Sequence, residues 1–143
     1  MQITTQLSGS RIILYLVLII IISLGLKLYT VDFSIPPHTD DIGYITTAIE
    51  YGQGDFFLSQ KKHPGWSLVL VPFMSIVNSD SLLDYANAAR ILSIAISTIT
   101  IIPMYILARR FFDEKYSLVA SCLLAFEPHL NYNSGGGLAE PLL

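Results

Sequence analysis

The fifteen residues Ile12–Leu26 carry no charge and are almost wholly aliphatic, and Arg11 and Lys27 bracket them. A helix needs roughly 20 residues to cross a hydrocarbon core of about 30 Å. The flanking cations can snorkel to the two interfaces, so residues 11–29 are expected to form a first membrane span. The run ends in "SLGLKLYTVDF", which has no clear small-x-small cleavage site. A retained anchor therefore fits better than a secretory signal.

The rest of the chain agrees with a membrane protein. Only 13% of the 143 residues are charged, about half the roughly 25% of soluble domains. A net charge of −3 provides no basic field for nucleic acid. The single cysteine, Cys122, lies in an apolar run and cannot form an intramolecular disulfide. A second uncharged run, Ile91–Ala108, is interrupted only by Pro103, which a membrane helix tolerates. Spans are expected at 85–108 and 112–130, although Tyr116–Phe126 alone is short and must extend at one end to cross. A further helix is expected to start near Leu138. Because the sequence stops one turn into that helix, the chain reads as the N-terminal part of a larger polytopic protein. The fold class expected is an all-α, polytopic membrane helix bundle.

Between the first two spans lies a long loop, about residues 30–84, in which two interfacial helices are expected. Asp41–Tyr51 places Ile42, Ile45 and Ile49 on one helical face, a pattern suited to lying along an interface. "HPGWSLVLVPFMSIVN" is apolar from Trp66 to Val77 but too short to cross, and Pro72 breaks it midway. There Trp66 and Phe73 are expected at headgroup depth. The most basic connector, "RRFFDEK" at 109–115, belongs on the cytoplasmic side. The 30–84 loop is then external and the N-terminus internal.

The candidate functional residues gather in that loop and beside it. Asp40 and Asp41 follow "PPHT", where Thr39 or Asp40 can serve as a helix N-cap and both acids suit the helix dipole. Adjacent carboxylates can equally take a proton or bind a metal. Tyr44 shares a helical flank with Asp41 and can hydrogen-bond a carboxylate or a sugar hydroxyl. Lys61, Lys62 and His63 either snorkel toward anionic headgroups or clamp a lipid phosphate. Arg90, at the outer end of the second span, is either an interface anchor or a partner for an acid or phosphate. Glu140 follows Gly135–Gly137 in an emerging apolar helix, where an acid is costly and more often functional. Glu127 and His129 flank Pro128 and read as polar groups at the interface. The Gly135–Gly137 run reads as a break between membrane helices, because it lacks the lysine of a P-loop. No zinc spacing and no serine–histidine arrangement occurs.

Taken in order, these segments resemble one family. "DDIGYITTA" resembles the D-[DE]-x-x-Y-x-x-x-A motif in the first external loop of GT-C glycosyltransferases, specifically their protein O-mannosyltransferase and aminoarabinose-transferase-like branch. "KKHPGWSLVLVP" is similar to that branch's basic-P-P-L segment, with Gly65 replacing the second proline. "ARILSIAISTITIIPMYILARRFF" resembles its second helix and cytoplasmic turn, and "LAEPLL" its acid-bearing fourth-helix start. The resemblance covers nearly all of the chain from Ile12 onward.

The family implies a multi-pass enzyme, in the plasma membrane of a prokaryote, that moves a sugar from a polyprenyl-phosphate donor to a hydroxyl of a protein, lipid or glycan. Asp40 would be the catalytic base. Lys62 or His63, with Arg90, would hold the phosphate. Asp41 would share the base role or, with Glu140, bind a divalent cation such as Mg or Mn. The alternatives are a fragment of a polytopic transporter and a noncatalytic membrane subunit.

Overall fold

The structure, a computed structural model, describes residues 9–56, 64–77 and 79–137. Seven helices follow one another, and no strand occurs among the described residues: α1 (Gly9–Thr30), α2 (Thr39–Gly52), α3 (Pro64–Met74), α4 (Leu82–Ile99), α5 (Ile101–Ala108), α6 (Glu114–Ala125) and α7 (Pro128–Gly136). The first apolar run becomes α1. The second becomes α4 and α5, which meet at Thr100. Pro103 accounts for that joint, because it has no N–H to donate to the carbonyl four residues back, at Ile99. Thr100 then closes the turn onto Ile96 O through both its N–H and its hydroxyl. Gly9–Thr30 and Leu82–Ala108 are each long and apolar enough to cross a membrane.

The 12-residue α6 and the start of α7 cover the expected third span, and Pro128 begins the new helix. The expected helix near Leu138 lies outside the described residues. Gly135 and Gly136 form the last turn of α7, which Gly137 ends in the left-handed conformation at φ +77°. The glycine run thus closes a helix. Gly137 also sits close to α4, where an added Cβ would lie 3.4 Å from the Arg90 backbone nitrogen. Gly137→Ala is therefore expected to destabilise the protein by about 1–2 kcal/mol through the left-handed penalty alone, measurable as a lowered unfolding midpoint in detergent.

Helix α1 packs on α4 and α6, α5 packs on α6, and α7 docks on α4. Along α1 the buried residues are the polar Ser23 and Lys27. Ser23, Ser93, Ser117 and Ser121 are fully buried, whereas Ile13, Leu18, Ile21 and Ile22 are exposed. Small residues let helix backbones approach closely where lipid surrounds them. Ser23 illustrates this by donating to Ala125 O across the α1–α6 contact at 3.1 Å. Lys27, expected to snorkel outward, is instead 2% exposed. Its ammonium turns into the α1–α4 contact and donates to Ser97 Oγ at 2.7 Å.

The helices of the 30–84 loop pack together. Ile45 and Ala48 of α2, Trp66, Leu70 and Met74 of α3, and Ala86 and Ala89 of α4 form one apolar cluster. The apolar face of α2 is therefore covered by protein. Trp66 is 3% exposed and no interfacial anchor. Its indole N–H donates to Gly137 O at 3.0 Å, which ties α3 to the end of α7. Pro72 stays within α3 and does not break it.

Candidate active site

Between the end of α1 and the start of α2, residues 31–38 form a strap that two α4 side chains hold by its carbonyls. Asn87 Nδ2 donates to Phe33 O at 3.1 Å, and Arg90 Nη2 donates to Ile35 O at 2.9 Å. Arg90 Nη1 also donates to Asn87 Oδ1, so the two residues brace one another. Asp32 folds the strap's first turn by accepting from the Ser34 N–H and hydroxyl at 2.9 and 2.6 Å. These bonds hold its carboxyl below the ordinary range. The strap then passes through Pro36 and Pro37 into α2.

The helix cap differs from either sequence-based choice. His38 occupies the N-cap position, and Asp41, at the third helical position, returns to accept from the His38 N–H at 3.0 Å. Capping is therefore the work of Asp41. Asp40 is exposed, while Asp41 is 4% exposed. Burial raises the Asp41 carboxyl above its ordinary value, against the His38 hydrogen bond and the Arg90 charge, which act to lower it.

Beneath the strap lies a cavity of about 560 Å³ whose wall includes Asp32, His38, Asp40, Asp41, Arg90, Asn131 and the Gly135–Gly136 turn. Three of the expected site residues, Asp40, Asp41 and Arg90, thus meet around one space although α2 and α4 are far apart in sequence. Arg90 is 5% exposed, so its charge is held inside the protein. Tyr44 is not part of the cavity wall. It packs against the α2–α3–α4 cluster, and its backbone carbonyl accepts from Ser67 Oγ at 3.1 Å. Lys62, His63 and Glu140 lie outside the described residues, as does Lys61. Glu127 caps α7 by accepting from the Leu130 N–H, and His129 Nε2 lies 3.1 Å from Asn133 Nδ2.

Sequence reasoning overlooked Asp32, His38 and Asn131 as wall residues. The one available signal was compositional: "HLNYNSGGG" is polar and small in a chain of apolar runs, which suits a segment facing a cavity. Among the described residues, no group of three His, Cys, Asp or Glu side chains could hold a metal ion. Glu140, which the resemblance joined to Asp41 in a divalent-cation site, lies outside the described residues.

Arg90, in the cavity wall, and the basic "RRFFDEK" turn are separated along α4 and α5. Nineteen positions separate Arg90 from Arg109, about 28 Å at ~1.5 Å per residue, close to one hydrocarbon thickness. At the far turn, Arg109 donates to Phe112 O and pairs with Glu114 at 3.5 Å. No protein-family model matches the chain, and neither a curated protein nor a solved structure matches it.

Proposed function

We propose that the chain is part of an integral-membrane glycosyltransferase of the GT-C type, which moves a sugar from a polyprenyl-phosphate donor to an acceptor hydroxyl on the external face. The observation that carries this reading is the cavity itself. It joins an exposed carboxylate, Asp40, to a buried cation, Arg90, at one end of a bundle with an apolar exterior. Asp40 takes the proton of the acceptor hydroxyl, whose oxygen attacks the anomeric carbon with inversion. The bond from that carbon to the phosphate oxygen breaks, and the phosphate leaves with the electron pair. Arg90 stabilises the charge growing on the phosphate, aided by Lys62 and His63 on the flanking segment. The lipid tail stays in the membrane beside α1 and α4.

A transporter reading has one feature in its favour, the buried Lys27 in the α1–α4 contact. Lys27 does not line the cavity, however, and the acids sit on the loop helix α2 rather than on a broken span. The experiment that decides is single-turnover transfer by the full-length protein in nanodiscs, given a polyprenyl-phosphate hexose and a panel of hydroxyl acceptors. Release of polyprenyl phosphate matched by glycosylated acceptor is the expected result. Intact donor at all acceptor concentrations would overturn the reading.

A further inference from the structure

Where α5 turns into α6, large aromatic side chains stand outside the protein. Phe111 is 74% exposed, Phe112 58% and Tyr116 67%. The turn that carries them is nonetheless fixed. The Phe111 and Phe112 N–H groups both donate to Ala108 O, at 3.0 and 2.9 Å. Arg109 Nη1 donates to Phe112 O at 3.2 Å. With Arg109, Arg110 and Asp113, the three aromatic residues line a shallow concavity of about 480 Å³. A contiguous apolar patch rimmed by polar groups marks an interaction surface more often than chance exposure does.

The charges in this wall are not equally engaged. Arg109 is held by Phe112 O and by Glu114 Oε1, the latter at 3.5 Å. Arg110 and Asp113 are both exposed, and among the described residues neither has a side-chain hydrogen bond or ion pair. Asp113 occupies the N-cap position of α6 without capping through its carboxylate. The wall thus offers a ligand one cation and one anion, three positions apart, beside three aromatic rings.

That set discriminates among membrane lipids. A phosphate suits the Arg110 guanidinium, and acyl chains suit the rings. An ammonium bearing N–H bonds suits Asp113 by both charge and hydrogen bond. Phosphatidylethanolamine carries all three groups. Phosphatidylcholine has no N–H to donate, and phosphatidylglycerol would set a net negative charge against Asp113.

We propose that the α5–α6 turn binds the headgroup of phosphatidylethanolamine, with the phosphate on Arg110 and the ammonium on Asp113. Leu82–Ala108 is long and apolar enough to cross a membrane, and the turn begins at the next residue, where a span meets the headgroups. The assignment rests on the integral-membrane part of the reading above and is independent of glycosyl transfer.

The test places a fluorescent reporter in the turn. Phe111→Trp in the full-length protein is reconstituted in nanodiscs of equal parts phosphatidylethanolamine, phosphatidylglycerol and phosphatidylcholine. Three preparations differ only in which lipid carries bromine, a contact quencher, on its acyl chains. The signal of the parent protein, which includes Trp66, is subtracted. Quenching at residue 111 should report phosphatidylethanolamine about 3- to 10-fold enriched over either other lipid, the scale of one hydrogen bond. Asp113→Asn leaves an equally good helix cap but removes the charge, and should bring the ethanolamine-to-glycerol ratio toward one. Arg110→Gln removes the partner of the phosphate and should bring every ratio toward one. If Phe111→Trp does not fold, Tyr116→Trp reports from the same wall against the same expectation.

Equal quenching by the three lipids overturns the inference. So does a preference for phosphatidylglycerol, which would mark the general attraction of a basic turn to anionic lipid. An ethanolamine preference that survives Asp113→Asn overturns it too. Absence of quenching by any lipid overturns the membrane placement of the turn as well, whereas sugar transfer is measured separately and stands or falls on its own assay.

Discussion

Asp40→Asn is expected to slow sugar transfer by about 10²–10⁴-fold, the usual contribution of a positioned general base, with little change in the unfolding midpoint. Asparagine keeps the size and a hydrogen-bonding oxygen of aspartate but cannot take a proton at neutral pH. In the sequence alone this experiment confronts a rival, since Asp40 could equally be the cap of α2. The structure narrows that rivalry by giving the N-cap position to His38 and its return bond to Asp41. A stability loss from Asp40→Asn is therefore not expected, and a rate loss would report chemistry. Single-turnover transfer with a polyprenyl-phosphate sugar measures the first quantity, and thermal unfolding in the same nanodiscs measures the second. Near-normal turnover would remove Asp40 from the reaction and leave the base to be found elsewhere in the cavity.

The second large effect is on stability. Arg90→Leu removes the two side-chain bonds that brace Asn87 and the Ile35 carbonyl. It also strips the buried Asp41 of a nearby positive charge. Each acceptor left unpaired inside the protein, Asn87 Oδ1 and Ile35 O, costs about 1–3 kcal/mol, and the variant is expected to lose stability on that scale.

The pH dependence follows from Asp41. Its carboxyl titrates above the ordinary value in the folded protein, chiefly through burial, and Arg90 restrains the rise. A group raised on folding contributes stability that is full below its unfolded value and is lost as pH rises through its folded value. Without Arg90 the folded value climbs further, so more stability is lost on the alkaline side. The gap between wild type and Arg90→Leu should therefore widen from pH 4 to pH 8, as read from unfolding midpoints. A gap that stays constant would mean that the two lost hydrogen bonds account for the whole effect.

What could be read from residues and what could not has a common physical basis. Ile12–Leu26 and Ile91–Ala108 announced α1 and α4–α5 because length and apolarity are local properties of a sequence. The acids at 40 and 41 were visible for the same reason, as was Arg90. Which face of a helix meets protein is not local. The amphipathic pattern of α2 fits lipid or α3 equally well, and the partner turned out to be Trp66, Leu70 and Met74. Lys27 resembled a snorkelling flank because a sequence does not reveal that Ser97 lies opposite. The cap passed from the expected Thr39 or Asp40 to His38 because helix geometry lets the third residue, Asp41, return its carboxylate. Asn131 was overlooked because a polar residue in a polar segment has no contrast. Only its position in the wall, with an unpaired oxygen, sets it apart.

The inward-facing Lys27 bears on how the molecule is made. When α1 first leaves the ribosome it has no neighbour, and an ammonium near the end of a lone span is drawn toward the headgroups. Its hydrogen-bond partner, Ser97, is encoded 70 residues later, so the lysine cannot take up its final position until α4 has also been synthesised. Burial of the ammonium between the two helices therefore comes after α4 is available. The contact between Lys27 and Ser97 is thus made across two helices whose synthesis is separated by most of the chain between them.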